Sequence, residues 1–296
     1  MNVFLTGGAG FVGSAVIHAL LERGHIIHAL VNHRQLSFFD DRVKSFPGGL
    51  FDDAAVDAAM RDCSAVIHLV GIIKENPSAG ITFDRIHYQG TVRIAEAAKR
   101  AGIRRYLQMS ALGASPDSSA EYHRTKFAAE EFVRGSGLDW TIFRPSMILG
   151  PGGDFSKMQE AWARGKAPPY LFMPYFGAGI MGLGRKFQIQ PIQVGDVARA
   201  IAQSLEKPET MGQTYALAGP QVMTWPQMHQ QVAEKITGHR RAVLAIPAWY
   251  ALLLSRTVPS FLLPFTADQV RMSQQDNIAD MSGFARTFGW APQSAV

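Results

Sequence analysis

The chain has 296 residues, of which 47% are hydrophobic and 18% charged, values of a globular chain with a real core rather than a disordered one. A single cysteine, Cys63, excludes an intrachain disulfide framework and any multi-cysteine metal cluster, and it suits a reducing, cytoplasmic setting. The net charge of +5 comes without any long Lys/Arg block, so the excess reads as a solvated surface and no nucleic-acid partner is expected.

Val3 to Leu5 is a short apolar run that reads as a buried strand. It feeds a turn with glycines at 7, 10 and 13, and helical apolar spacing then runs through Val12, Ala15, Val16, Ala19 and Leu20. In such a unit Gly7 turns the chain off the strand. Gly10 lets the backbone approach a pyrophosphate, and Gly13 lets the helix pack closely on the strand. The helix start, at Phe11 and Val12, offers unpaired N–H groups and a positive dipole end to the phosphates. The motif begins a few residues after Met1, so no signal or transit peptide is expected ahead of it.

Ile26 to Val31 reads as the second strand. Many dinucleotide sites place an acid there, about 20 residues past the glycines, to bind the adenine ribose diol. This chain instead reads Val31-Asn32-His33-Arg34. An arginine suits a ribose 2′-phosphate, so the expected cofactor is NADP(H), with NAD as the alternative.

Further strands are expected at Ala65–Gly71, Arg105–Ser110 and Trp140–Arg144, the last stopped by Pro145. Helical spacing joins Phe83 to Ala101 and Tyr122 to Val133. Strands alternating with helices predict an α/β fold, a doubly wound parallel sheet of the Rossmann kind. Residues 1–150 form the expected dinucleotide-binding domain, with 191–218 returning to it. Residues 151–190 and 219–296 form a smaller C-terminal substrate lobe, the first of these rich in Gly and Pro and read as an insertion with mobile loops. Ala242 to Phe265 is strongly apolar but broken by Pro247, Arg256, Pro259 and Pro264, too interrupted for a membrane span of ~20 residues. It reads as lobe core, or as a lipophilic pocket or a peripheral membrane contact.

Tyr122-His123-Arg124-Thr125-Lys126 sets a phenol and an ammonium four residues apart, on one helix face. A tyrosine with an ordinary pKa of about 10 is a poor acid–base catalyst at neutral pH, and a nearby lysine charge favours the phenolate. Ser110, at the end of the preceding strand, is positioned to orient a carbonyl or hydroxyl. Tyr122, Lys126 and Ser110 are therefore the candidate catalytic residues, with Lys126 also able to bond the nicotinamide ribose. No metal site is expected.

Together these features resemble the extended or atypical branch of the short-chain dehydrogenase/reductase superfamily. Thr6-Gly7-Gly8-Ala9-Gly10-Phe11-Val12-Gly13 resembles that branch's cofactor loop, and Ser110, Tyr122 and Lys126 its catalytic trio. Arg144-Pro145-Ser146 is similar to the segment that passes the nicotinamide, which makes Pro145 a cofactor contact. Pro191 to Ala198 resembles a late motif of the branch, with Asp196 read as a helix cap. Within the branch, Met109 to Ala114, Tyr215 to Pro220 and Pro264 to Val270 resemble the group related to the dehydrogenase-like accessory subunit of respiratory complex I. There are departures. His87 occupies the position of an assisting asparagine. Gly49 replaces an adenine-binding aspartate, leaving backbone contacts near Leu50. Tyr122 follows Ser110 by only twelve positions. The resemblance implies an NADP(H)-dependent oxidoreductase or epimerase acting on a carbonyl or secondary alcohol, with a quinone-like substrate in view. Its alternative is a non-catalytic NAD(P)-binding module serving a respiratory or membrane-associated partner.

Overall fold

The computed structural model describes residues 1–32, 35–36, 40–259 and 262–296. The first half alternates strand and helix: β1 Asn2–Thr6, α1 Phe11–Glu22, β2 Ile26–Val31, β3 Val43–Pro47, α2 Asp53–Met60 and β4 Ala65–His68. A π-helical segment, Asp84–Gln89, then runs directly into α3 Gly90–Arg100, followed by β5 Arg105–Met109, α4 Glu121–Gly135 and β6 Asp139–Pro145. The remainder comprises β7 Ile148–Leu149, α5 Asp154–Ala163, β8 Met173–Gly177, β9 Gln188–Ile189, β10 Ile192–Gln193 and α6 Val194–Ser204. After these come β11 Gln213–Leu217, β12 Met223–Thr224, α7 Trp225–Thr237, β13 Val243–Pro247, α8 Ala248–Thr257, α9 Ala267–Ser273 and α10 Ser282–Phe288.

Seven of the strands form one parallel sheet in the order β3-β2-β1-β4-β5-β6-β11. Central strands of such a sheet are covered on both faces and read as continuous apolar runs. Val3, Phe4 and Leu5 in β1 and Ala65, Val66 and Ile67 in β4 are accordingly fully buried. One face packs Val16, Ile17 and Leu20 of α1 against Val197 and Ile201 of α6. The other packs Val56 of α2, Ile94 of α3 and Val133 of α4. The chain passes from β1 to β2 on one side and later to β4 on the other. A crevice therefore opens above the carboxyl ends of β1 and β4, where ligands bind in such sheets.

The smaller lobe is built on the parallel pair β8–β13, on the antiparallel pair β9–β12, and on α5 packed against α7. Residues 151–190 therefore hold a helix and short strands, where Gly and Pro density suggests loops. Asp196 also departs from expectation. Gln193 is the N-cap of α6, and Asp196 sits in the first turn with Oδ2 accepting the Gln293 N–H at 2.7 Å. Among the described residues no helix is long and apolar enough to cross a membrane.

Candidate functional site

The glycine turn has the predicted build. Gly7 adopts φ +77°, a left-handed conformation that glycine reaches without cost. A Cβ on Gly13 would lie 2.1 Å from the Gly7 carbonyl oxygen and 2.7 Å from the Gly8 Cα, so only glycine lets α1 come this close to the turn. Gly10 caps α1 without any side chain, and the N–H groups of the first turn are left for a ligand. That cradle, facing the crevice with a helix dipole behind it, fits a pyrophosphate. The Phe11 ring packs under Gly150 and Gly153, so the chain leaving β7 covers the helix start. A cavity of about 260 Å³ adjoins that chain, lined by Leu149 to Pro151, Gln193, Val194, Lys235 and Ala295.

His33 and Arg34 lie outside the described residues. Leu50 is buried against α3, its Cδ1 2.9 Å from where a Gly90 Cβ would stand. Asp52 accepts the Ala55 N–H at 3.1 Å and caps α2. Pro145 ends β6, and its carbonyl oxygen accepts the Leu112 N–H at 2.8 Å, tying the segment after β5 to the carboxyl edge of the sheet.

Helix α4 presents a ladder of Tyr122, Lys126, Glu130 and Arg134, each one turn from the next. Ala120 at its N-cap has no capping side chain, and Asp268 of α9 supplies the acceptor instead, taking the Tyr122 N–H at 2.9 Å. The Tyr122 ring stands edge-on to Phe83 and His87, with centroids 5.8 and 5.1 Å away. Burial pushes its phenol up to about 12, so burial rather than Lys126 governs it here.

Lys126 is buried, with Nζ donating to the Met109 carbonyl at 3.2 Å. Desolvation brings its ammonium down to about 8, partly opposed by the Glu130 carboxylate. A Cβ on Gly71 would meet Nζ at 2.9 Å, and a Cβ on Gly7 would meet the Leu69 carbonyl carbon and the Val70 nitrogen at 3.3 Å. The exit of β4 is thus sandwiched between the glycine turn and the lysine, which brings Lys126 beside the cofactor cradle.

His87 fits a neutral, satisfied imidazole. Its Nδ1 pairs with Thr125 Oγ1 at 3.0 Å, and its Nε2 accepts the Ile72 N–H at 3.1 Å. Burial and then the Lys126 charge bring it down to about 2. His68 pairs through Nδ1 with Thr6 Oγ1 at 2.7 Å and is brought down to about 3 for the same two reasons. Its Nε2 is buried and has no hydrogen-bond partner among the described residues.

Ser110 is placed differently from expectation. Its hydroxyl donates to Glu130 Oε1 at 2.5 Å, two turns along α4 from Tyr122. Glu130 is fully buried and gripped by Arg144 (2.8 and 2.5 Å) and by Arg134 (2.8 Å). Sequence reasoning did not single out Glu130, Arg134 or Asp268. The four-residue spacing from Tyr122 to Arg134 was a visible signal for the first two, whereas Asp268 reaches Tyr122 across 146 residues. Among the described residues no group of three His, Cys, Asp or Glu could hold a metal ion.

Residues 7–161, more than half of the chain, match the NAD(P)H-binding family. The chain belongs to that family. This NAD(P)H-binding chain is 28% identical over 282 residues to the mitochondrial NADH dehydrogenase [ubiquinone] 1 alpha subcomplex subunit 9 of Arabidopsis thaliana, covering 92% of this chain and 67% of that one. It spans 62% of the subunit of the same name in Dictyostelium discoideum and 60% of the mitochondrial NADH-ubiquinone oxidoreductase 40 kDa subunit of Neurospora crassa. It is also 34% identical to the ceramide reductase of Caulobacter vibrioides over 152 residues, covering 51% of this chain and 47% of that one. Among solved structures, the UDP-glucose 4-epimerase of Thermotoga maritima shares the fold. Its TM-score is 0.73 at 19% identity, over 99% of this chain and 94% of that one.

Proposed function

We propose that this NAD(P)H-binding protein is an NADP(H)-dependent oxidoreductase or epimerase acting on a carbonyl or secondary alcohol, with a lipophilic substrate favoured. The observation that carries this reading is the pairing on α4. Tyr122 holds a phenol whose hydroxyl makes no hydrogen bond among the described residues, one turn from the buried ammonium of Lys126. When bound, the nicotinamide exchanges a hydride with the substrate carbon. Tyr122 Oη gives its proton to the substrate oxygen in reduction and takes it back in oxidation. Burial raises this phenol to about 12, so it carries its proton at neutral pH and is a donor to the substrate oxygen in reduction. The Lys126 ammonium steadies the phenolate left behind. Ser110 acts in this reading as a positioning residue that ties β5 to Glu130. The ceramide reductase among the relatives supports a lipophilic substrate.

A second reading, an NAD(P)H-binding module serving a respiratory or membrane-associated partner, is favoured by the commitment of the Ser110 hydroxyl to Glu130. NADPH oxidation against a panel of carbonyls and quinones separates the two. Turnover on any member supports the enzyme, and tight NADPH binding with no turnover across the panel supports the module. Choice of cofactor is tested at Arg34. Arg34→Asp is expected to weaken NADPH and spare NADH, and unchanged NADPH affinity removes Arg34 from the site.

A further inference from the structure

The smaller lobe carries an apolar surface that the proposed chemistry does not use. The chain from Gly177 to Gly184 folds back on itself, with the Gly182 N–H on the Gly179 carbonyl (3.2 Å) and the Gly184 N–H on the Ala178 carbonyl (2.8 Å). It is built tightly, since a Cβ on Gly177 would overlap the Gly182 carbonyl and one on Gly182 would press on Ala245 of β13. The effect is a firm wedge with Ile180, Met181 and Leu183 turned outward, 72–82% exposed. Trp249 Nε1 donates to the Ile180 carbonyl at 3.0 Å and joins the wedge to α8.

Helix α8 inverts the usual order of a surface helix. Its buried positions are the alanines 248 and 251, while Trp249, Tyr250 and Leu253 are 44–53% exposed. Large apolar side chains on two adjoining elements form the kind of patch that marks an interaction surface.

The charge around the patch indicates the partner. No Asp or Glu occurs from Arg164 to Gly195, or from Lys235 to Ala267, and these two stretches hold four Lys or Arg each. Arg185 is paired with Asp276, but exposed Lys186 and Arg256 have no ion pair among the described residues. Lys186 lies three positions past Leu183, just beyond the wedge, and Arg256 lies one turn past Leu253 on the same face of α8. A second copy docked on this patch by two-fold symmetry would set one cationic, acid-free surface against another. A bilayer with anionic headgroups accepts all three chemistries: cations at the phosphates, Trp and Tyr at the interface, aliphatic side chains below.

We propose that the Gly177–Gly184 wedge and α8 dock the protein on an anionic lipid surface. This stands independently of the role of Tyr122. The test is co-sedimentation of the full chain with phosphatidylcholine vesicles, with and without phosphatidylglycerol, at low and high salt. Binding to the anionic vesicles alone, weakened by salt, is expected. Lys186→Gln and Arg256→Gln should each lower partitioning about fivefold, and Met181→Ser with Leu253→Ser should abolish it while thermal unfolding stays unchanged. Binding equal on both vesicles, no binding to either, or binding untouched by these variants overturns the proposal. So does a dimer of the wild-type chain that Met181→Ser with Leu253→Ser dissolves, since that assigns the surface to a second copy.

Discussion

Ser110 and Glu130 show how one hydrogen bond redistributes roles among neighbouring residues. A serine at the end of β5 suits a substrate donor by its position in the sequence, but its hydroxyl is held at 2.5 Å by a fully buried carboxylate that two arginines also grip. Charge-assisted bonds of this kind are strong, and a ligand competing for the serine must break one. Ser110→Ala is therefore expected to cost about 1.5–3 kcal/mol of stability. Turnover should fall far less than the roughly 10²–10⁴-fold that follows loss of an acid–base group. Urea unfolding and steady-state rates check both. A large rate loss at unchanged stability would return Ser110 to the substrate. The placement of Tyr122 and Lys126 one turn apart on α4 was legible because residue type and spacing carry it. Where the Ser110 hydroxyl points was not, because that depends on Glu130 in a helix packed against the strand. Arg34, the residue that suits a ribose 2′-phosphate, lies outside the described residues.

At the level of elements, legibility followed periodicity and burial. Strands β1, β2 and β4 hold apolar runs, β5 and β6 are short stretches rich in aromatic and aliphatic residues, and helices α1, α3 and α4 repeat at helical spacing, so all were readable. Edge strand β3 carries Lys44 and Ser45 in exposed positions, and α2 is only eight residues long, so neither produced a pattern. The π-helical turn that brings His87 to Thr125 has no sequence signature, although such turns recur at functional sites. Helix α5 was hidden among glycines and prolines that punctuate the chain on either side of it. The junction of β1 and α1 offers the sharpest test at this scale. Gly13→Ala drives a methyl into the Gly7 carbonyl, and the turn must open. Calorimetry should find NADPH binding lost, with about 1–3 kcal/mol of overpacking cost in thermal unfolding. Unchanged NADPH affinity would mean that the pyrophosphate does not sit on this turn.

Across the whole molecule, buried neutral imidazoles shape the response to acid. Burial brings His68 down to about 3, His87 to about 2 and His229 to about 4, from an ordinary 6.5. Below pH 6.5 the unfolded chain takes up protons that these native imidazoles refuse. The unfolded state then binds more protons, and stability falls as pH drops from about 6.5 toward those lower values. Urea midpoints measured between about pH 6.5 and 5, above the ordinary carboxylate range, should decline steadily. A flat profile there would mean that the native imidazoles take up protons as readily as those of the unfolded chain. The same sheet that buries His68 and His87 brings the glycine cradle beside Lys126, with Tyr122 one turn beyond it, and this joint placement is the basis of the functional reading.

The most direct measurement is NADPH oxidation by Tyr122→Phe, with its NADPH affinity determined in parallel, on any carbonyl that the wild-type chain turns over. The phenyl ring keeps the packing against Phe83 and His87 and removes only the proton donor. The account predicts unchanged NADPH affinity and a rate lower by roughly 10²–10⁴-fold. An undiminished rate with the phenylalanine in place would contradict it.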